Sequence, residues 1–175
     1  MRPAEYWINQ LHLQAHPEGG FYKETYRSAE TILQNGLPAR FPGPRRFSTA
    51  IYFLLRSQDR SLFHRIQSDE LWHWHAGSTL SIYVLNKQGL AVQQLGDNPE
   101  KKESLQIAIP ANCWFGAKLN GDTGYVLASC TVAPGFDFQD FELADRTELI
   151  KQYPAHKEII DMLTRADFAT KTPRH

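Results

Sequence analysis

FHRIQSDELWHWHAG, residues 63–77, carries three of the seven histidines of the chain and a glutamate within a short span. Its second half, Glu70-Leu71-Trp72-His73-Trp74-His75, has no helical period. Side chains of a strand point alternately to opposite faces. Glu70, Trp72 and Trp74 therefore share one face, while Leu71, His73 and His75 share the other. Imidazole and carboxylate groups are ligands for zinc, iron or nickel. They also serve as acid–base groups near neutrality. Parity separates these uses, because the histidines do not converge with Glu70 unless a β-bulge intervenes.

The same texture runs on both sides of this stretch. FSTAIYFLL, SLFHRI, ELWHWH, TLSIYVLN, GLAVQQLG, SLQIAIP, CWFGAKL and GYVLASCTV are short segments rich in β-branched and aromatic residues. Turn residues separate most of them. This spacing, without an intervening helical stretch, predicts a sandwich or barrel with its core at about residues 47–133. Upstream, Pro17 and Gly19-Gly20 mark a turn, and FYKETYR then alternates as a strand. Residues 34–46 hold three prolines and two glycines and read as a loop. Helices are expected only near the ends. RPAEYWINQLHL predicts one at about 3–12, and Pro154 opens another at about 154–165. Asp145 with Glu148 predicts an N-cap between them, and ATKTPRH reads as a frayed tail. The expected organisation is a single domain over 1–175.

The totals narrow the function classes. The chain has 175 residues, 42% hydrophobic and 12% aromatic, with 19 basic and 19 acidic side chains balancing to zero. A neutral chain has no global field to attract nucleic acid or an anionic membrane, so neither is an expected partner. Apolar runs such as STAIYFLL are too short to span a bilayer. No basic-then-apolar leader precedes a cleavage site, and the expectation is a cytoplasmic protein. Cys113 and Cys130 lack metal-site spacing and are expected to be reduced thiols. No phosphate-cradling glycine loop and no G-x-S-x-G elbow is present.

The central segments resemble the cupin pattern. Its usual first motif runs His-x-His, three or four residues, Glu, six residues, Gly; here His64, Ile66, Glu70 and Gly77 stand at those positions. The second motif, Pro-x-Gly followed after two residues by His, is matched by Pro110, Asn112 and Phe115. HPEGGFYKETYRS, STAIYFLL, DELWHWHAG, IPANCWFGA and CTVAPGFDFQDFEL further resemble the signatures of the cupin-5 (DUF985) family, covering nearly the whole chain. The resemblance implies a mainly β, cupin-type jelly-roll barrel, commonly dimeric, with an internal ligand cavity. Its architecture is similar to that of sugar-nucleotide epimerases of the RmlC type, at the level of fold alone.

The site expectations follow. Of the four usual cupin ligand positions, His64 and Glu70 keep a donor while Ile66 and Phe115 have none, so no metal or other cofactor is expected. The metal alternative would draw on His64, Glu70, His73 and His75. His64 and Glu70 are either a structural hydrogen-bonded pair or the catalytic acid and base. Burial would raise the Glu70 pKa, and the partner carboxylate would raise that of His64. Trp72, Trp74 and Phe115 are expected as ligand-binding walls, Glu18 as a turn carboxylate near the ligand, and Phe136 and Asp137 as a rim. The function expected is binding of a small polar, carbohydrate-like molecule, with metal-independent isomerase or epimerase chemistry. The alternatives are a binding protein without chemistry and a metal-dependent oxygenase. A homodimer is expected, with His73 or His75 at the contact and FYKETYR pairing the edge of a neighbour's sheet.

Overall fold

The computed structural model describes residues 2–165; the tail ATKTPRH lies outside the described residues. Helix α1 (Ala4–Gln10) leads into β1 (Gln14–Ala15), β2 (Phe21–Arg27), β3 (Thr31–Ile32) and β4 (Arg45–Arg46). Then come β5 (Thr49–Arg56), β6 (Ser61–Arg65), β7 (Asp69–Gly77), β8 (Leu80–Asn86) and β9 (Gly89–Leu95). β10 (Glu103–Ser104), β11 (Gln106–Ile109), β12 (Trp114–Leu119) and β13 (Tyr125–Ala133) follow. β14 (Glu142–Leu143), α2 (Arg146–Gln152) and α3 (Lys157–Met162) complete the described chain.

Two six-stranded sheets carry the fold, in the orders β1-β2-β5-β13-β7-β11 and β10-β9-β8-β12-β6-β14. A core of Phe53, Leu55, Trp72 and Cys130 from the first sheet meets Ile82, Val84, Phe115 and Ala117 from the second. The strand spacing predicted a sandwich or barrel and the family resemblance implied a jelly roll, and the two facing sheets fit both. The β structure is wider than 47–133, because β1 and β2 extend the first sheet and β14 the second. FYKETYR pairs antiparallel with β5 of its own chain, from Phe21 opposite Leu54 to Arg27 opposite Thr49.

The unbroken apolar run in β5 has a physical cause. Phe53 and Leu55 face the core between the sheets, while Leu54 faces outward beneath α1 with Leu13, Tyr125 and Leu127. Trp7 Nε1 donates to the Tyr125 hydroxyl at 2.8 Å and fixes α1 there. On the other sheet, Phe63, Leu85 and Trp114 lie under Leu149, Ile160 and Leu163 of the C-terminal segment. Each such side chain contributes about 1.5–3 kcal/mol by leaving water. The Asp145 carboxylate accepts from Glu148 N at 2.9 Å, as its sequence position predicted. Pro154 opens a 3₁₀ turn, Pro154–His156, so α3 itself begins three residues later than expected. No helix among the described residues is long and apolar enough to cross a membrane.

Candidate functional site

The site begins at a turn. Gly19 has φ +108°, and a Cβ there would lie 2.1 Å from Arg60 O; Gly20 has φ +76°, with Leu54 O 2.7 Å from such a Cβ. Only glycine permits both this conformation and this approach. The turn can therefore press against the β5–β6 connection, where Leu62 N donates to Glu18 O at 3.2 Å. Glu18 is thereby inserted beside His64, with Oε2 at 3.2 Å from Nδ1.

From the other side, β7 turns Glu70 and Trp72 inward, opposite Val132 and Cys130 of β13. Together these residues line a cavity of about 280 Å³. His16, Glu18, His64 and Glu70 are its carboxyl and imidazole groups away from the mouth; Tyr22, Ile51, Phe53, Ile66, Cys130 and Val132 supply wall. At the mouth, Arg27 is held by Glu24 through bonds of 2.9 and 2.6 Å, and Phe136 and Phe138 pack edge to face at 5.1 Å. Phe136 N donates to Thr49 Oγ1, while Arg45 and Asp140 pin the following turn through bonds of 2.7 and 2.6 Å.

Burial sets the electrostatics. Glu70 is 8% exposed and its pKa rises to about 7, chiefly by desolvation, with the Cys130 thiol and the Trp72 indole favouring the charged form more weakly. Glu18, 6% exposed, is pushed well above the ordinary carboxylate range by desolvation and then by the charge of Glu70. Desolvation lowers both His16 and His64 to about 4. The expectation that a carboxylate would raise His64 is therefore reversed, because the nearest carboxyl is itself held neutral. The nearest carboxyl also differs from the one expected: His64 is paired with Glu18, and its Nδ1 also donates to Leu62 O at 2.7 Å.

Of the expected site residues, the structure brings Glu18, His64, Glu70, Trp72 and Phe136 to one cavity. Phe115 sits behind it, its ring 4.1 Å from that of His64. Trp74 points to the same side as Trp72 but is only partly buried, packing against the core outside the cavity lining. Asp137 turns away from the cavity into the neighbouring cleft with Arg45 and Arg46, and its Oδ1 accepts from Gln139 N. The sequence reading missed His16, Tyr22, Arg27 and Cys130. His16 stands two residues before the Glu18 that the paired glycines pointed to.

His73 and His75 lie on the outer face of the first sheet. Gln106 Nε2 donates to His73 Nδ1 at 3.1 Å, and His75 Nε2 is 2.9 Å from Ser129 Oγ. A bulge does exist: Trp74 faces Ala128 but Ala76 faces Leu127, leaving His75 as the extra residue. It falls beyond Trp74 and leaves both histidines outside. Among the described residues, no group of three or more His, Cys, Asp or Glu side chains is arranged to hold a metal. Ile66 and Phe115 offer no donor atoms. Of the four usual cupin ligand positions, only His64 and Glu70 carry donor atoms, fewer than the three protein ligands a catalytic zinc takes. Asn112, where the second motif has glycine, keeps φ +63° and donates to Ile66 O at 2.9 Å. Asparagine tolerates this left-handed conformation, so the turn survives the exchange.

Two facing, mainly antiparallel sheets with a ligand-sized cavity opening between them define a jelly-roll cupin. The chain belongs to the Cupin_5 family, a cupin superfamily group (DUF985) whose model matches residues 5–144. Among solved structures, a hypothetical protein from Leishmania major is 35% identical, with a TM-score of 0.86 over 94% of this chain and 100% of that one. A protein of Shewanella oneidensis is 40% identical, with a TM-score of 0.84 over 95% of this chain and 100% of the other. A cupin 2 domain-containing protein from Halorhodospira halophila shares the fold at 10% identity, with a TM-score of 0.54 over 88% of each chain. No curated protein matches the chain.

Proposed function

We propose that the cavity binds a small, polar, carbohydrate-like molecule and that His64 and Glu70 exchange protons with it without a metal, as in an isomerase or epimerase. One observation carries this reading. A single buried lining combines a neutral imidazole with a carboxyl whose pKa lies at about 7. At neutral pH such a carboxyl is present in both forms, and a neutral imidazole can accept a proton. A base that takes one proton and an acid that returns another leave the composition of the molecule unchanged, so no co-reactant is needed.

The walls support the ligand class. Tyr22, Phe53, Trp72 and Phe136 offer aromatic surface suited to the C–H faces of a ring, and the polar floor suits its hydroxyls. A binding protein without chemistry would use the same lining, and the shifted Glu70 favours chemistry over it. Native mass spectrometry of the purified chain against a panel of pentoses and hexoses, followed by proton NMR of the bound sugar in D₂O, tests the proposal. Binding with exchange of a carbon-bound proton is expected, with exchange lost in Glu70→Gln. Binding without exchange between pH 5 and 9 would leave only the binding role.

A further inference from the structure

The two imidazoles of the cavity are held in opposite tautomers by backbone groups. Leu62 O can only accept, so its 2.7 Å contact places a proton on His64 Nδ1 and a lone pair on Nε2. At His16 the polarity reverses. The backbone N–H of Glu18 donates to His16 Nδ1 at 3.1 Å, so Nδ1 carries the lone pair and Nε2 the proton. Neither Nε2 has a hydrogen-bond partner among the described residues, and both rings line the same cavity.

The His16 ring is held in place by edge contacts with Tyr22 and Phe53, at 4.6 and 5.5 Å between centroids. Its backbone closes the glycine turn, with His16 N donating to Gly20 O and Gly19 N to His16 O at 2.9 and 3.0 Å. One turn thus inserts Glu18 beside His64 and fixes which nitrogen of His16 donates.

We propose that His16 Nε2–H donates a hydrogen bond to a carbonyl oxygen of the ligand, so that the molecule taken is an α-hydroxy aldehyde or ketone. The inference rests on the proton-transfer reading above and adds the electrophile which that reading lacks. His64 Nε2 removes the proton from the carbon beside the carbonyl, and the C–H electron pair becomes a C=C bond. The carbonyl π pair moves onto oxygen, where the growing negative charge meets the His16 N–H. The Glu70 carboxyl then returns a proton to carbon and the carbonyl re-forms. His64 ends protonated and Glu70 ionised, and one proton passing between them through water restores both. No oxidant or reductant enters.

A neutral imidazole suits this role, because a fixed dipole in a dry site stabilises developing charge without reorganising. Burial keeps both rings neutral through the neutral range, their pKa values having fallen to about 4.

The test uses the full chain with ¹⁵N-labelled histidine at neutral pH. It is titrated with glycolohydroxamate, an uncharged planar mimic of the enediol, and with glycerol, which has no carbonyl. His16 is expected to show a protonated Nε2 and His64 a protonated Nδ1, and the hydroxamate should move the His16 Nε2–H resonance. In His16→Phe, which keeps the edge packing on Tyr22 and Phe53, hydroxamate binding should weaken at least tenfold. Glycerol should bind the two proteins alike. Finding both histidines in the same tautomer overturns the inference without any variant, whether or not His16→Phe folds. Hydroxamate binding that is lost in Glu70→Gln but unchanged in His16→Phe overturns it while leaving the proton-transfer reading intact. Binding indifferent to both substitutions overturns the two together, and the absence of saturable binding overturns the carbonyl assignment.

Discussion

Two sets of ionisable side chains are buried in this protein, and burial treats them oppositely. Arg45 and Asp140, under the rim, are 3% and 5% exposed, yet their geometry is that of an ion pair. The guanidinium meets the carboxylate through bonds of 2.7 and 2.6 Å and reaches Pro44 O at 2.7 Å, and the bonds to Asp140 raise the Arg45 pKa. In the cavity, His16, Glu18, His64 and Glu70 are buried with no such two-pronged partner, and desolvation drives each toward its neutral form. Charge survives burial where a partner completes its hydrogen bonds, and is shed where none does. The first arrangement keeps its charge, and the second holds its groups neutral, with Glu70 brought to about 7.

The largest effect is expected from breaking the ion pair. Asp140→Asn leaves the Arg45 guanidinium charged, buried and half-bonded, which costs about 3–5 kcal/mol in a site of this kind. Denaturant unfolding at neutral pH reads the loss directly. Replacing both partners with apolar residues, Arg45→Met with Asp140→Leu, should recover most of it. A loss below about 1 kcal/mol in Asp140→Asn would mean that the pair is solvated and the contrast with the cavity false.

Glu70 should show the opposite sign. Its folded pKa of about 7 lies above the ordinary value of 4.5, so the folded chain holds a proton that the unfolded chain releases. Stability from this group is complete below pH 4.5 and is lost as pH rises to 7. Glu70→Gln mimics the protonated form and should therefore be more stable than the native chain at pH 8, by about 2–3 kcal/mol, with the difference vanishing near pH 4.5. Glu18 shifts in the same direction and is relieved further when the charge beside it is removed. His16 and His64 act oppositely, since their depressed pKa values withdraw stability as pH falls from 6.5 toward 4. Unfolding curves from pH 4 to 8.5 separate the limbs. A native chain no less stable than Glu70→Gln at pH 8 would show that Glu70 is hydrated.

Local patterning reached the strands but not the convergence. Alternation in ELWHWH placed Glu70 and Trp72 on one face and His73 and His75 on the other, because a two-residue period is a property of the strand itself. It could not tell that Trp74 falls outside the cavity lining, since that depends on the facing sheet. His16 lies far from His64 in sequence, and what joins them is a turn pressed onto the β5–β6 connection. Gly19-Gly20 signalled a close backbone approach, and that signal reached Glu18, whereas nothing at His16 itself marked which of its nitrogens the next turn would occupy. Asp137 shows the same limit. Its place beside Phe136 suggested one rim, whereas Asp137 lines the neighbouring cleft with Arg45 and Arg46.

The smallest effect is expected on the outer face of β7, which carries His73 and His75. His75→Gln keeps a side chain able to bond the Ser129 hydroxyl, and surface exchanges of this kind stay within about 0.5 kcal/mol. Yet Leu71, His73 and His75 follow one another along β7 on a sheet face flanked by the neutral polar side chains Gln106, opposite His73, and Thr131, opposite Leu71. We propose that a second copy covers this face across a two-fold axis, the commonest closed symmetry. Light scattering at neutral pH should then read twice the chain mass. The His75 pKa is lowered by partial burial and then by the charge of His73, so acidification should dissociate the pair by placing like charges on one face. A monomer at neutral pH and micromolar concentration defeats the proposal. A dimer indifferent to acid moves the contact elsewhere, and a loss of several kcal/mol in His75→Gln would show this face to be core rather than contact.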